Sequence, residues 1–190
     1  MVSNPVLQVI RQRCSVRAYS PDLVDADTIR TLLDAATRAP TAMHSEPWVF
    51  AVVQDIARLH RYSEMAKAGW RGREFATALL RTDFNIFYGA STLIVIAARP
   101  SGPFAVADCW LAAENLMLAA TAMGLGTCCV GSAIDALSTP AVREELHIAQ
   151  SLTVVAAIIV GRPAEPCLPA SRKPAEVVSW IQPQGEGGTS

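Results

Sequence analysis

The sequence has 190 residues, a formal net charge of -1, 51% hydrophobic residues and 17% charged residues. That length indicates one domain, and the absence of a basic run argues against non-specific nucleic-acid binding, which needs a clustered positive surface. The longest apolar run, Leu152 to Gly161, is too short for a membrane span of about 20 residues, and the N-terminus lacks the apolar centre of a secretory signal, so we expect a cytoplasmic protein.

The low charged fraction also bears on assembly. Charged residues usually make up about 25% of a soluble domain, so this chain has more apolar surface than one small core needs. A large monomer core or an apolar interface with a second subunit would account for the excess. We favour the interface, because obligate interfaces resemble a core cut in half.

The first half of the chain carries the patterns of three helices and one strand. The helices are predicted at residues 4–13, 25–38 and 55–82, and the strand at 49–54. Asp25 and Asp27 suit a helix start, and Pro40 disfavours helix at the residue before it. The third helical pattern is polar and is broken by Gly69 and Gly72.

The second half carries three apolar strands and two helices. The strands are predicted at 92–98, 127–130 and 152–160, and the helices at 105–123 and after Thr139-Pro140. The helix at 105–123 is apolar on nearly all faces, which predicts burial on all sides. Gly124 suits its C-terminal cap.

The order of these elements predicts the fold class. Strands and helices do not alternate steadily, which favours α+β over a doubly wound parallel sheet. We expect a single domain over residues 1–183 and a mobile, glycine-rich tail over 184–190.

The segment Arg13 to Arg17 is the first candidate for ligand binding. If it is extended, Arg13, Ser15 and Arg17 point to one side, and arginine grips phosphate oxygens in a bidentate manner. The alternative is a solvated basic patch at a helix end.

The loop from Ala39 to Trp48 is the second candidate. Two prolines stiffen it, and Thr41, His44, Ser45 and Glu46 supply donors and acceptors. The alternative is an ordinary helix-to-strand connection in which Trp48 anchors the core.

Other polar features carry weaker signals. Gly126 would allow close backbone approach of a planar ligand, although a plain turn explains it as well. The three histidines and five cysteines show no metal-ligand spacing, and the odd, irregularly spaced cysteines predict reduced thiols. Glu114 and Asn115, within the apolar helix, need polar partners: they could face a ligand or a subunit interface, but we favour partners inside the protein.

Four segments in chain order resemble the nitroreductase family of flavin enzymes, over residues 9–178. They are the R-x-S-x-R stretch at 13–17, the Pro40-Thr41 to Pro47-Trp48 loop that enters a strand, the helix with its G-L-G exit at 108–127, and the basic C-terminal segment at 161–174. The resemblance implies an α+β sandwich with a mostly antiparallel sheet flanked by helices, an intertwined homodimer, and FMN bound at the subunit interface.

The resemblance also implies roles for individual residues. Arg13, Ser15 and Arg17 would hold the FMN phosphate and ribityl chain, with Cys14 contributing mainly backbone, and Arg172 with Ser171 would close on the phosphate. The remaining cofactor contacts would come from a loop of the other subunit and from backbone near the flavin ring: Thr41, Met43, His44, Ser45, Gly126 and Thr127.

A lid over the flavin is expected within residues 60–87, because the loop before the central helix is short. Its candidate substrate-lining residues are Trp70, Phe75, Phe84 and Phe87, and ordinary core or interface packing is the alternative.

The function implied is hydride transfer from NADH or NADPH through flavin N5 to a nitroaromatic, a quinone or a similar acceptor, in a ping-pong scheme without an acid–base side chain. Two alternatives stay open. One is a flavin enzyme of the same fold with oxygen-dependent, dehalogenating or dehydrogenating chemistry, and the other is a non-enzymatic flavin-binding dimer.

Overall fold

The computed structural model describes residues 4–70 and 84–182. The helices are α1 (Pro5–Gln12), α2 (Ala26–Thr37), α3 (Ile56–Gly69), α4 (Ala105–Ala122), α5 (Ile134–Leu137) and α6 (Pro140–Glu145). The strands are β1 (Trp48–Val53), β2 (Thr92–Ala98), β3 (Gly126–Cys129) and β4 (Thr153–Gly161). The helical pattern at 71–82, Phe75 and the tail at 184–190 lie outside the described residues.

The helix starts follow from short polar side chains. Asp25 accepts a hydrogen bond from the backbone N–H of Thr28, which satisfies one of the free donors in the first turn of α2. Asn4 and Asp55 do the same for α1 and α3. The predicted start of α2 is thereby confirmed, and the predicted strands at 49–54, 127–130 and 152–160 each lie one residue from the observed ones.

The sheet has four strands in the order β1-β2-β4-β3, and every neighbouring pair is antiparallel. The two longest apolar strands, β2 and β4, therefore occupy the centre. β3 lies at an edge, where Ser15 forms a parallel bridge to Thr127. This edge carries the arginine-rich segment predicted to bind phosphate.

Two apolar cores cover the two faces of the sheet. In β2, Leu93 and Val95 pack with α3 and α5, whereas Ile94 and Ile96 pack with α2 and α4. Successive side chains of a strand point to opposite faces, so one continuous apolar strand serves both cores. The result is a helix–sheet–helix sandwich, as the α+β prediction requires.

Helix α4 differs from the prediction of burial on all sides. One face, including Ala112 and Leu116, is fully buried against the sheet and α2, whereas Trp110 and Leu111 remain about half exposed. The periodicity could not show this, because a helix that is apolar all round has no polar face to mark the outside. The exposed face is apolar surface available to another subunit.

Among the described residues, no helix is both long enough and apolar enough to cross a membrane.

Candidate functional site

The arginine segment is held along the edge of the sheet. Val16 donates its backbone N–H to the carbonyl of Thr127 at 2.9 Å, which gives the segment the extended conformation that the sequence predicted. Arg13 caps the C-terminus of α1, and Tyr19 donates its hydroxyl to the carbonyl of Val16 at 2.9 Å. Both ends of the segment are therefore fixed to the body of the protein.

The arginines of this segment have different surroundings. The Arg13 guanidinium lies 3.5 Å from the Glu114 carboxylate and is mostly buried. Arg17 is exposed and makes a long contact, 3.4 Å, to the carbonyl of Ser15. The prediction that Glu114 and Asn115 find internal partners is confirmed, since Asn115 donates to the carbonyl of Ala35 at 3.3 Å.

An open cavity of about 260 Å³ lies beside the segment. It is lined by Cys14, Ser15, Arg17, Cys167, Leu168, Ala170 and Arg172. Arg17 and Arg172, which are 155 residues apart in the sequence, therefore face one space together with the Ser15 hydroxyl. Ser171, a predicted partner of Arg172, is exposed but does not line this cavity.

The two cysteines of this cavity are joined. Cys14 and Cys167 form a disulfide, with their Cα atoms 6.3 Å apart. The expectation of reduced thiols throughout is therefore wrong for this pair, because chain spacing alone does not show which cysteines meet in the fold. The prediction that Cys14 contributes mainly its backbone to the cofactor stays a prediction. Cys109, Cys128 and Cys129 are free thiols.

Cys128 lies on β3 near the arginine segment. Burial raises the pKa of its thiol, and Arg17, a hydrogen bond with Ser15 and Arg13 oppose that shift. The positive charges of Arg13 and Arg17 therefore act electrostatically on a thiol at the edge of the sheet. The thiol is buried and stays mostly protonated at neutral pH, so it does not act as a nucleophile here.

The backbone at Gly126 and Thr127, predicted to face the flavin ring, lies on β3 beside the arginine segment. A Cβ at Gly126 would lie 2.7 Å from Val16 Cγ2, so the close approach that glycine permits is used by a neighbouring side chain. Thr127 is also buried, and its hydroxyl has no hydrogen-bond partner among the described atoms. Both residues are buried in the single chain, and their contact with a flavin ring stays a prediction.

The loop candidate forms a tight turn with unusual backbone. Residues Ala42–His44 make one 3-10 turn, and Met43, His44 and Glu46 have positive φ angles of 54°, 53° and 41°. Such angles are uncommon for residues other than glycine and persist only where the surroundings impose them.

Hydrogen bonds hold this turn to α4 and within its own loop. The Asp108 carboxylate, buried in the first turn of α4, accepts from the backbone N–H of Ala42 at 3.2 Å, and the Thr41 hydroxyl accepts from the Glu46 N–H at 3.4 Å. Met43 is 94% exposed, and His44 is also exposed. The turn is therefore attached to α4, whereas the arginine segment is attached to β3, and Thr41, Met43 and His44 remain separate from that cavity within one chain.

The predicted substrate-lining residues fall into two groups. Trp70 and Phe87 are buried in the core formed by α3 and the sheet, which favours the core-packing alternative. Phe84 is partly exposed and meets the ring of Tyr88 edge-on at 5.6 Å. Phe75 and the rest of 71–83 within the proposed lid lie outside the described residues.

The cavity fits a phosphate monoester by the chemistry of its donors. Arg17 and Arg172 carry two positive charges and fork-shaped donor sets, and Ser15 adds a hydroxyl. None of the other residues that line this cavity is an acid, although Glu165 lines an adjoining cavity that shares Ser15 and Arg17 with it. Asp108 and Cys167 were not predicted as site residues from the sequence. Their roles follow from contacts with Ala42 and Cys14, which lie far away along the chain.

The comparisons with known proteins agree with this architecture. The model of the Nitroreductase family matches residues 10–162. A putative NADH dehydrogenase/NAD(P)H nitroreductase of Archaeoglobus fulgidus is 31% identical over 84% of this chain and 86% of its own length. A 4-nitrobenzoate reductase of Nocardioides is 28% identical over 80% of this chain and 78% of its own length.

A solved structure extends the match to the fold. The nitroreductase of Bacteroides fragilis, determined with bound FMN, has a TM-score of 0.83 and 28% identity, covering 95% of this chain and 100% of that one. The family model matches well over half of the chain, and relatives match along most of their length. This chain belongs to the nitroreductase family.

Proposed function

We propose that this protein is an FMN-dependent oxidoreductase that uses NADH or NADPH. The observation that carries the proposal is the meeting of Arg17, Arg172 and Ser15 at one cavity in a chain of the nitroreductase family. The chemistry that bound FMN supplies is hydride transfer, from the nicotinamide to a small acceptor, in two separate half-reactions. The protein supplies binding, orientation and charge.

The cavity residues hold the phosphate end of the cofactor. Arg17 is exposed and, among residues 4–70 and 84–182, makes one long hydrogen bond, so its guanidinium is available for a bidentate interaction with phosphate oxygens. Arg172 approaches from the C-terminal segment, and Ser15 supplies a neutral donor. Arg13 is already paired with Glu114 and acts by fixing the segment and adding positive charge.

The turn at Ala42–His44 is proposed to contact FMN bound by a second subunit. Its backbone places Met43 and His44 in solvent, and Asp108 holds that backbone from α4. Side chains presented by a fixed backbone lose less conformational entropy on binding than those of a free loop. Thr41, Met43, His44 and Ser45 are the residues that this turn offers to the ribityl chain and the ring edge.

A homodimer is proposed because the chain exposes apolar surface at several places. A groove of about 350 Å³ between α1 and α4 is lined only by apolar residues: Pro5, Val6, Val9, Leu118, Ala119 and Ala122. Trp110 and Leu111 of α4 and the C-terminal Val178, Trp180 and Ile181 are also exposed. Apolar patches of this kind mark subunit interfaces.

The acceptor is proposed to be a nitroaromatic, a quinone or a similar small molecule, and the 4-nitrobenzoate reductase among the relatives supports the first class. A flavin enzyme of the same fold with oxygen-dependent chemistry would instead consume NADPH in air without an added acceptor. A flavin-binding protein without activity would hold FMN that NADH and NADPH do not reduce.

The phosphate assignment is tested by comparing FMN with riboflavin, which lacks the phosphate. Arg17→Ala and Arg172→Ala are each expected to weaken FMN binding about tenfold or more, because each removes a charge-assisted contact, and to leave riboflavin binding nearly unchanged. Arg30→Ala is the matched control, since Arg30 is exposed and paired with Asp27 on α2. Equal effects on FMN and riboflavin would contradict the assignment.

A further inference from the structure

The disulfide between Cys14 and Cys167 lies inside the proposed phosphate cavity. The two cysteines are 153 positions apart, and their Cα separation of 6.3 Å is within the range of protein disulfides. Cys14 stands between Arg13 and Ser15, and Cys167 stands five positions before Arg172. The bond therefore joins the two chain segments that supply the phosphate-binding residues.

The bonded pair is also accessible. Cys14 and Cys167 are both partly exposed and line an open cavity, whereas Cys109 and Cys128 are buried. Small thiols and disulfides reach exposed cysteines selectively, because exchange requires a thiolate to attack a sulfur directly. Small thiols and disulfides can therefore reach Cys14 and Cys167, as they can the partly exposed Cys129, but not the buried Cys109 and Cys128.

The disulfide is one of the attachments between the C-terminal segment and the rest of the chain. Ser20 donates its N–H to the carbonyl of Arg162, and Ala164 donates to the carbonyl of Ala18, each at 2.9 Å. Within residues 4–70 and 84–182, Ala164 is the last residue of this segment with such a backbone hydrogen bond to the rest of the chain. Beyond it, the disulfide at Cys167 is the covalent attachment that precedes Arg172.

We propose that Cys14 and Cys167 form a reversible redox modification site that sets the affinity of the cavity for a phosphorylated flavin. This inference rests on the proposed function. With the bond closed, Arg172 is held near Arg17; with the bond open, the segment gains freedom and Arg172 must be ordered when the phosphate binds.

The reaction partner is a low-molecular-weight disulfide, RSSR. One cysteine thiolate attacks RSSR, forming a mixed disulfide and releasing one RSH; the second cysteine then displaces the remaining RSH and closes the protein disulfide. The two protein thiols lose two electrons and two protons, and RSSR is reduced to two RSH. Excess RSH reverses both steps, so the state of the pair follows the thiol balance of the compartment.

The test equilibrates the full-length protein with defined ratios of reduced and oxidised glutathione. Peptide mapping without reductant measures the fraction in which residues 14 and 167 are linked, and fluorescence titration measures FMN and riboflavin binding in the same samples. We expect the linked fraction to rise reversibly with oxidised glutathione. We also expect FMN to bind about three- to tenfold more weakly to the reduced protein, while riboflavin binding changes less than about twofold.

Two variants separate the switch from general effects on folding. Cys167→Ser should remove the redox response and hold FMN affinity at the value of the reduced protein. Cys129→Ser, which changes a free and partly exposed thiol, should keep the full response.

Three results would overturn the inference. The first is the absence of the linked peptide at every ratio, and the second is a linked peptide that leaves FMN affinity unchanged. The third is an equal redox response in Cys167→Ser. Failure of both FMN and riboflavin to bind in either redox state would also contradict the proposed function, whereas FMN binding without a redox response contradicts the switch alone.

Discussion

The carboxylate of Asp108, buried in the first turn of α4, accepts a hydrogen bond from the backbone N–H of Ala42 at 3.2 Å. The two residues are 66 positions apart, and their contact joins the central helix to the turn whose backbone contains Met43 and His44 at positive φ. The contact gives a physical reason why that turn keeps an unfavourable backbone. It also shows where a carboxylate in an otherwise apolar helix finds its partner.

Removing this carboxylate should destabilise the protein. Asp108→Ala leaves the Ala42 N–H without its acceptor, and we expect the free energy of unfolding to fall by about 1–3 kcal/mol. Asp108→Asn retains an acceptor oxygen and should lose less. Urea denaturation followed by circular dichroism measures both, and Asp34→Ala, at an exposed surface pair, is the control with a loss under about 1 kcal/mol. Equal losses in Asp108→Ala and Asp34→Ala would contradict the role assigned to Asp108.

The contact between Gly126 and Val16 should not tolerate a methyl group. In Gly126→Ala the new Cβ would meet Val16 Cγ2 at 2.7 Å, and overpacking of this kind costs about 1–3 kcal/mol. In the double variant, Val16→Ala should recover part of the lost stability, because it removes the side chain that the new Cβ meets. Thermal denaturation checks the series, with Gly131→Ala as the control because no atom lies within 4 Å of its added Cβ. Full stability in Gly126→Ala would show that the arginine segment is not packed on β3 as described.

Alkaline pH should destabilise the folded state through buried thiols. Burial raises the pKa of Cys109 from 9.0 to about 11, with a smaller contribution from the Asp108 charge. The unfolded chain therefore loses this proton at lower pH than the folded chain, and the stability is fully present below about pH 9 and is lost as the pH rises towards 11. Urea midpoints between pH 8 and 11 measure the decline. In Cys109→Ala the decline should be shallower, and an unchanged slope would exclude Cys109 as a contributor.

A charge in the groove between α1 and α4 should weaken the proposed dimer. Val6 is 62% exposed in the single chain and lines this groove, so Val6→Glu would place a carboxylate in the interface while leaving the monomer fold intact. We expect the dissociation constant of the dimer, measured by sedimentation velocity, to rise about tenfold or more in Val6→Glu. Ile56→Glu is the control, because Ile56 is 57% exposed but lies on α3. A similar shift in both variants would place the interface elsewhere.

The sequence allowed most elements to be predicted because their signals are local. Asp25 marks the start of α2 by its own hydrogen bond, and Trp48, predicted to anchor the core, is buried where β1 begins. The strand order and the disulfide partner of Cys14 depend on contacts between distant residues, and spacing along the chain does not encode them. Trp70 and Phe87 are buried in the core, and the sequence did not distinguish that placement from a lining role, since aromatic side chains suit a core and a binding wall equally well.

The candidate site, too, could be predicted from the sequence only in part. Arg17 and Arg172 were predicted from the family resemblance, and the structure brings them to one cavity. The expected contact of a flavin ring with Gly126 stays a prediction, and what the structure shows at this glycine is the close approach of Val16. A glycine permits close approach but does not specify what approaches.

The measurement that tests the central claim most directly is the visible absorption spectrum of the purified protein reconstituted with FMN, recorded under anaerobic conditions before and after addition of NADH or NADPH. We predict a protein-bound flavin band that bleaches with one of the two donors and returns when a nitroaromatic or quinone is added. A bound flavin that neither donor bleaches would contradict the oxidoreductase proposal. The absence of any bound flavin after FMN addition would contradict the assignment of the cavity itself.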